Sequence, residues 1–527
     1  MSRSSALQSL LEACALIGVQ TGPPDPRSLV PATVVPVEAG DWGRVAEAAK
    51  SAGLRWSALW VDPLEAGFEA FCLLEGDGQY LVLRTLVALD QALPSHAGIH
   101  AAADRPERHA HDLLGIIFAN APDGRRWTRH QAWPETRFPL LPEHPLRPED
   151  QAASVADSSY VFAAAQGAGV VEIPVGPIHA GIIEPGHFRF LAVGETVLNL
   201  EQHLGYVHKG IEKLAVGRNA DGLARLAARV SGDSTVAHSW AACQALERAT
   251  GIEPPPRALW LRAILAERER IANHIGDIGA ICNDVGFSFA QYQFSRLREQ
   301  LARDNLDAFG HRLMMDQVVP GGVTRDIDPD RIVPMIAQAD ALAREVRQLI
   351  ALLEDSESLE DRLMATGRLT PEQALMLGVV GYVGRASGLA FDLRRDAPYP
   401  PYDQFEVTVP SYRAGDVAAR ARIRAEEIDV SLRLLLKLLQ SLPTGPIRTP
   451  WSTPARPAEG LGMIDGWRGE IITYVRLDDQ GRVARFFPRD PSWLNWPALE
   501  LMMQGNIVPD FPVCNKSVNG SYSGHDL

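Results

Sequence analysis

Two short stretches of this chain space small polar residues the way a metal site or a proton relay would space its ligands. Residues 229–239 read Arg-Val-Ser-Gly-Asp-Ser-Thr-Val-Ala-His-Ser, with Ser231 and Ser234 three apart around Gly232 and His238 four residues further on. The chain closes on Asn-Gly-Ser-Tyr-Ser-Gly-His-Asp-Leu, where Ser521 and Gly524 repeat that spacing. Taken alone the first stretch is an ordinary helix entry; taken together the two look like cysteine pairs from which the sulfur has been removed. A third stretch, 173–190, sets His179, Glu184 and His187 among glycines and prolines that fix turns between short strands. It is either a proton-relay cluster or a polar loop at a strand end. On a long helical pattern over 256–282, Glu267, Arg270 and His274 share one face at intervals of three and four, as a solvated face or as a buried, paired polar line.

The elements that would position these residues are legible from periodicity. Apolar positions Leu261, Ile264, Leu265, Ile271, Ile275 and Ile278 make one stripe of the 256–282 helix. Further helices are expected over 330–354 and 416–442, the last stopping before Pro443, and a short one over 496–504. Strand patterns run over 55–61 and 67–89, with Gly76-Asp77-Gly78 as a hairpin turn, and a second hairpin is expected across Asp478-Asp479-Gln480-Gly481. Between 147 and 169 the composition shifts to Pro, Asp, Ser, Ala and Gly, which marks a linker. The chain therefore divides into an α/β domain at 1–150, a linker at 151–169 and a larger α+β domain at 170–527 built on a bundle of long helices.

With 51 Lys and Arg against 65 Asp and Glu, the net charge of −14 argues against a nucleic-acid partner. Glu12 interrupts the first apolar run, so no signal peptide is expected, and no apolar run approaches the roughly 20 residues that span a bilayer. Any membrane role is expected to be peripheral. The five cysteines, Cys14, Cys72, Cys243, Cys282 and Cys514, are far apart in sequence. That spacing excludes an iron-sulfur cluster or zinc site made from local cysteine pairs and suits buried thiols in a reducing compartment.

The order of motifs carries a resemblance. Glu107-Arg108 with Asp112-Leu113 and Gly115, then Asp123-Gly124-Arg125-Arg126 and Trp133-Pro134, resembles the 30-kDa-type subunit of respiratory complex I. Six further motifs resemble the large subunit of group 4 energy-converting nickel-iron hydrogenases of the hydrogenase 3, hydrogenase 4 and formate hydrogenlyase type. They are Gly176-Pro177 with His179, Arg229 to His238, Ala266-Glu267-Arg268 with His274, Arg385-Ala386-Ser387-Gly388 with Asp392 and Arg394, Arg468-Gly469-Glu470, and Asp490-Pro491-Ser492 with Asn495. In that family a complex I 30-kDa-like part is fused to a 49-kDa-like part, which implies an α+β fold with a central helix bundle and peripheral β-hairpins. Hairpins at the ends of the bundle are expected to bring the two pairs into one pocket.

The resemblance also implies nickel and iron held by four thiolates, which are soft, strongly donating ligands. The four matching positions here are Ser231, Ser234, Ser521 and Gly524. The expectation is that this chain binds no metal and no cofactor of its own. Three residues follow Gly524, whereas such hydrogenases carry a C-terminal extension that is removed after metal insertion. Complex I instead holds a quinone with a Tyr and a His whose places are taken by Val230 and Ile183. The groups left for chemistry are His179, Glu184, His187, Asp233, His238 and Arg468.

Two readings follow. In one, the chain belongs to a membrane-bound redox complex of the NADH-quinone oxidoreductase and hydrogenase-4 type, peripheral on the cytoplasmic face. It takes electrons from the iron-sulfur cluster of a small partner subunit and passes them to a quinone or another acceptor. In the other, it is a non-redox scaffold that couples protons to membrane ion-pumping subunits. A true hydrogenase is the third and is disfavoured by the missing thiolates.

Overall fold

A computed structural model of the chain describes residues 5–130, 137–146, 160–179, 181 and 183–527. Trp133-Pro134 and residues 151–159 of the expected linker lie outside the described residues. In the N-terminal part the strands Gly67–Gly76 and Gln79–Ala88 form the expected hairpin. Its turn has Asp77 and Gly78 both at positive φ (49° and 78°), the combination that matches the twist of a two-residue hairpin. Arg55–Leu64 adds on one side antiparallel and Thr33–Pro36 on the other in parallel, giving four strands. The helix Asp104–Leu114 carries the Glu-Arg motif and ends at Gly115, whose φ of 81° is the left-handed closure that glycine permits. Asp112 on that helix accepts from the backbone N–H of Trp127, Thr128 and Arg129 at 2.7, 2.8 and 3.1 Å, which fixes the loop that follows.

The larger part opens with three antiparallel strands, Val170–Val175, His187–Val193 and Thr196–His203. The long helices fall where the periodicity places them: Pro256–Asp284, Pro329–Glu354 and Val417–Gln440, the last capped by Asp416, whose side chain accepts from the N–H of Ala419. With Ser288–Phe309 they make the bundle. A meander of Ala458–Gly466, Gly469–Leu477 and Val483–Arg489 contains the second expected hairpin. The helix Thr235–Thr250 packs against it.

Two expectations need correction. The C-terminal helix begins earlier, at Ser492, and runs to Met502 with Pro497 inside its first turns. Two more short helices follow, Phe511–Val518 and Tyr522–Asp526. As a result helix ends, not β-hairpins, deliver the two small-residue pairs. Ser231 precedes a single turn, Gly232–Ser234, that leads into the helix Thr235–Thr250, and Ser521 is the N-cap of the last helix.

Candidate functional site

The two pairs meet. Ser231 Oγ and Ser521 Oγ are 2.8 Å apart although 290 positions separate them in sequence. The direction of the hydrogen bonds follows from the acceptors. Asp233 is a carboxylate and only accepts, so Ser231 donates to its Oδ1 at 2.8 Å; Ser521 must then donate to Ser231, and it accepts from the N–H of Gly524 at 2.9 Å. Arg468 closes the row with a two-pronged ion pair, 2.6 Å to each oxygen of Asp233, and also donates to Ser234 Oγ at 3.2 Å. Against the cost of burial, Arg468 holds the Asp233 carboxyl below the usual aspartate range. The result is a line of hydroxyls ending on a fixed negative charge.

Neighbouring elements pin each part of this line. The backbone carbonyl of Asp233 accepts from Asn273 at 2.8 Å and from the Trp467 indole at 2.9 Å. Arg468 donates through Nε to the carbonyl of Asn519 at 2.7 Å, and Asn519, at φ 39°, turns the chain out of the helix Phe511–Val518. The N–H of Ser521 is held by Ser492 Oγ at 2.8 Å. Gly520 has to be glycine, because a Cβ there would lie 2.5 Å from the Trp496 ring.

His238 stands behind this wall, 1% exposed. Its Nε2 donates to Asp490 Oδ2 at 2.9 Å, and the Asp490 carboxyl, buried but bonded to His238 and near Arg468, is held well below its usual range. Asp490 also explains position 524: a Cβ on Gly524 would come within 2.8 Å of its carboxyl carbon and 3.0 Å of Ser521 Oγ. Glu269 accepts from the N–H groups of Val236 and Ala237 at 2.7 and 3.2 Å, which satisfies the start of the His238 helix from a neighbouring helix.

The loop residues divide. Glu184 is exposed and reaches across to accept from the N–H of Ser523 at 2.9 Å, joining the loop to the serine cleft. His179 bonds within its own loop, accepting from the N–H of Gly181 at 2.9 Å. His187 is buried at the loop base, with Nδ1 on the carbonyl of Gly176 at 3.0 Å and its ring 5.0 Å from Phe162. His179 and His187 both lie against Gly176, the first 3.5 Å from where a Cβ there would stand and the second on its carbonyl, while Glu184 turns to Ser523. Ile183 lies at the mouth and Val230 is buried. The cleft has a volume of about 700 Å³, and its wall includes Glu184, Ser231, Asp233, Arg468, Ser521 and Ser523. Neither His179, His187 nor His238 is part of that wall. Cys514 lies away from it beside Gly367 and Arg420, with burial pushing its thiol up to about 12.

Sequence reasoning assigned no role to Asp490, Glu269, Asn273 or Asn519. Asp490 had a signal, as the first residue of the Asp-Pro-Ser motif; the others act through contacts that no local pattern reports.

A helix bundle joined to an α/β part, with a pocket between the start of one helix and the chain's last turn, is the arrangement expected for the class of complex I and hydrogenase large subunits. The model of the respiratory-chain NADH dehydrogenase 30 Kd subunit matches residues 35–153, that of the nickel-dependent hydrogenases residues 209–276, and that of the NADH dehydrogenase 49 Kd subunit residues 284–460. Formate hydrogenlyase subunit 5 of Escherichia coli (strain K12) is 33% identical over 422 residues, 80% of this chain and 74% of that one. The carbon monoxide-induced hydrogenase of Rhodospirillum rubrum is 34% identical over 348 residues, 66% of this chain and 96% of that one. A chain of the archaeal membrane-bound sulfane sulfur reductase shares the fold at TM-score 0.65 and 24% identity, over 68% of this chain and 99% of that one. The chain belongs to the large-subunit family of energy-converting nickel-iron hydrogenases, with fused complex I 30-kDa-like and 49-kDa-like parts.

The family's metal can be tested against the residues present. Three of the four ligand positions carry hydroxyls, hard and weakly acidic donors, and two of these spend their protons on each other and on Asp233. At the fourth, Asp490 fills the space a ligand side chain would need. This donor set does not fit a nickel-iron centre.

Proposed function

We propose that this chain is the hydrogenase-like subunit of a membrane-associated energy-converting complex and works without a nickel-iron centre, passing electrons from an iron-sulfur partner to a quinone or another acceptor at the serine cleft. The observation that carries the reading is the closed hydroxyl line from Gly524 through Ser521 and Ser231 to the Arg468-clamped Asp233. Such a line offers oxygen and nitrogen groups to an acceptor and no soft ligand to a metal. The electrons need an outside source, since the chain's five cysteines are all buried single thiols.

Reduction of a quinone to a quinol takes up two electrons and two protons. Glu184, exposed at the mouth and tied to Ser523, can bring protons from solvent, and Ser231 can hydrogen-bond a carbonyl oxygen by turning its proton from Asp233 to that acceptor. No helix among the described residues is long and apolar enough to cross a membrane. Attachment to the membrane, the small iron-sulfur subunit and the ion-pumping subunits are parts of the same proposal.

The test is the purified native complex, assayed for nickel and for reduction of a soluble quinone by the reduced partner. The expected result is no stoichiometric nickel, and quinone reduction that falls at least tenfold in Glu184→Gln and Ser231→Ala. One nickel per chain overturns the proposal. Reduced clusters that no acceptor reoxidises leave the second reading, a proton-coupling scaffold. That reading is favoured by the two-pronged pairing of Asp233 with Arg468, which holds the carboxylate in its ionised form.

A further inference from the structure

Behind the cleft wall lies a set of ionisable side chains, each no more than 2% exposed: Glu267, Arg270 and His274 of the helix Pro256–Asp284, together with Arg385, Asp392, Arg394, Glu427 and Asp465. Arg394 bonds Glu267 at 3.0 Å and Asp392 at 2.7 Å. Arg385 bonds Asp392 at 2.9 Å and Glu427 closely, and His274 Nε2 donates to Glu427 at 2.8 Å. Asp465 lies 3.3 Å from Arg270 and 3.4 Å from Arg385. The group faces the cleft through one short turn: the strand carrying Asp465 ends at Gly466, Trp467 packs edge-on against the His274 ring at 5.9 Å, and Arg468 clamps Asp233.

The charges do not balance. Three arginines face four carboxyl groups, so with His274 neutral and every carboxyl ionised the set carries one uncompensated negative charge away from water, which is strongly unfavourable. The surrounding groups do not repair it. Arg424, which also faces His274, is matched by Asp277 at 3.1 Å. Tyr399 and Tyr402 are driven by burial far above the range in which a phenol ionises at neutral pH.

The distances show which carboxyl is the odd one. Glu267, Asp392 and Glu427 each have a partner at 2.8 Å or closer, as charge-assisted bonds require. Every side-chain contact of Asp465 is longer: 3.1 Å from the N–H of Leu393 and 3.3 to 3.4 Å from the two arginines. Asp465 is therefore the least tightly held of the four carboxyl groups, the one at which a negative charge is least compensated. We infer that this network is a proton-binding site: it holds one proton at neutral pH, on Asp465, with His274 as the alternative position that leaves the total charge unchanged. Burial beside Asp392 raises the Asp465 carboxyl and burial lowers His274 in spite of Glu427, and both shifts favour Asp465 over His274 as the holder. The inference does not depend on what the cleft reduces, because the proton is counted on the resting chain.

The test reads that proton directly. Infrared spectra of the full chain in deuterated buffer at neutral pH are compared for wild type, Asp465→Asn and Glu427→Gln. Asp465→Asn mimics the protonated state and is expected to fold and to lose one protonated-carboxyl band. Glu427→Gln takes away one negative charge elsewhere, so Asp465 is expected to ionise and the same band to vanish although Asp465 is still present. A merely structural role would leave that band in place. If Glu427→Gln fails to fold by circular dichroism, Asp392→Asn makes the same subtraction. A wild type without the band, or a band that survives the removal of another carboxylate, overturns the inference.

Discussion

Glu269 shows how one side chain at the start of a helix ties the site to pH. It accepts from the first N–H groups of the His238 helix, and burial, reinforced by Asp233, pushes its carboxyl up to about 8. The folded-state value lies above the roughly 4.3 of a free glutamate, so its contribution to stability is complete below about pH 4.3 and is lost as pH rises to 8. In that window each pH unit costs at most about 1.4 kcal/mol. Urea unfolding of the full chain at pH 5, 6.5 and 8 should show this decline, and Glu269→Gln should flatten it. Equal slopes in the two proteins would show that Glu269 is ionised in the folded state.

At the scale of elements, the helix Thr235–Thr250 is placed by the strand beneath it. Gly460 and Gly462 let the strand Ala458–Gly466 approach so closely that a Cβ at 462 would sit 1.9 Å from the carbonyl oxygen of Ala241, and one at 460 would sit 2.1 Å from that of Ala245. Alanine at 462 must therefore lift the helix off the strand. Overpacking of this kind costs about 1 to 3 kcal/mol, and because His238 rides on the helix the His238–Asp490 bond moves with it. Gly462→Ala should lower the thermal midpoint by several degrees; a melt that overlays wild type would mean the helix and strand slide apart freely. The expected bundle was sound at this scale, but which helix faces the site was set by the meander.

Across the whole molecule, Glu470 joins the N-terminal sheet to the C-terminal meander. It is 1% exposed and takes Arg55 at 2.9 Å, Ser57 at 2.8 Å, the Tyr80 hydroxyl and Arg489. Against the burial penalty, Arg55 and Arg489 hold its carboxyl down at about 2. The sign is opposite to that of Glu269: this stability is present above about pH 4.3 and is lost as pH falls toward 2. Glu470→Gln leaves the buried Arg489 and the half-buried Arg55 facing a neutral amide, with Arg55 keeping Glu75 at 3.0 Å, a loss of about 3 kcal/mol. Limited proteolysis should then cut between the two parts where the wild type resists, and the acid-side loss of stability should shrink. Unchanged cleavage would place the join elsewhere, for instance at Asp62 and Arg476, 2.9 Å apart.

The sequence by itself determined the family, the hairpins and the three long helices, because motif order, turn chemistry at Asp77-Gly78 and apolar stripes of helical period are local properties that tertiary contacts leave intact. The resemblance, which rests on motif order and spacing, also implies that Ser231, Ser234, Ser521 and Gly524 stand at the ligand positions. Only the tertiary structure decided that the Ser231 and Ser521 hydroxyls bond each other, that Asp490 fills the place beside Gly524, and that Glu184 reaches Ser523. It likewise decided that Glu267, Arg270 and His274 form a buried paired line and not a solvated face. Each of these depends on residues tens to hundreds of positions apart, and burial, which sets both the charge balance and the proton count, is a property of the packed molecule that no single stretch of chain contains.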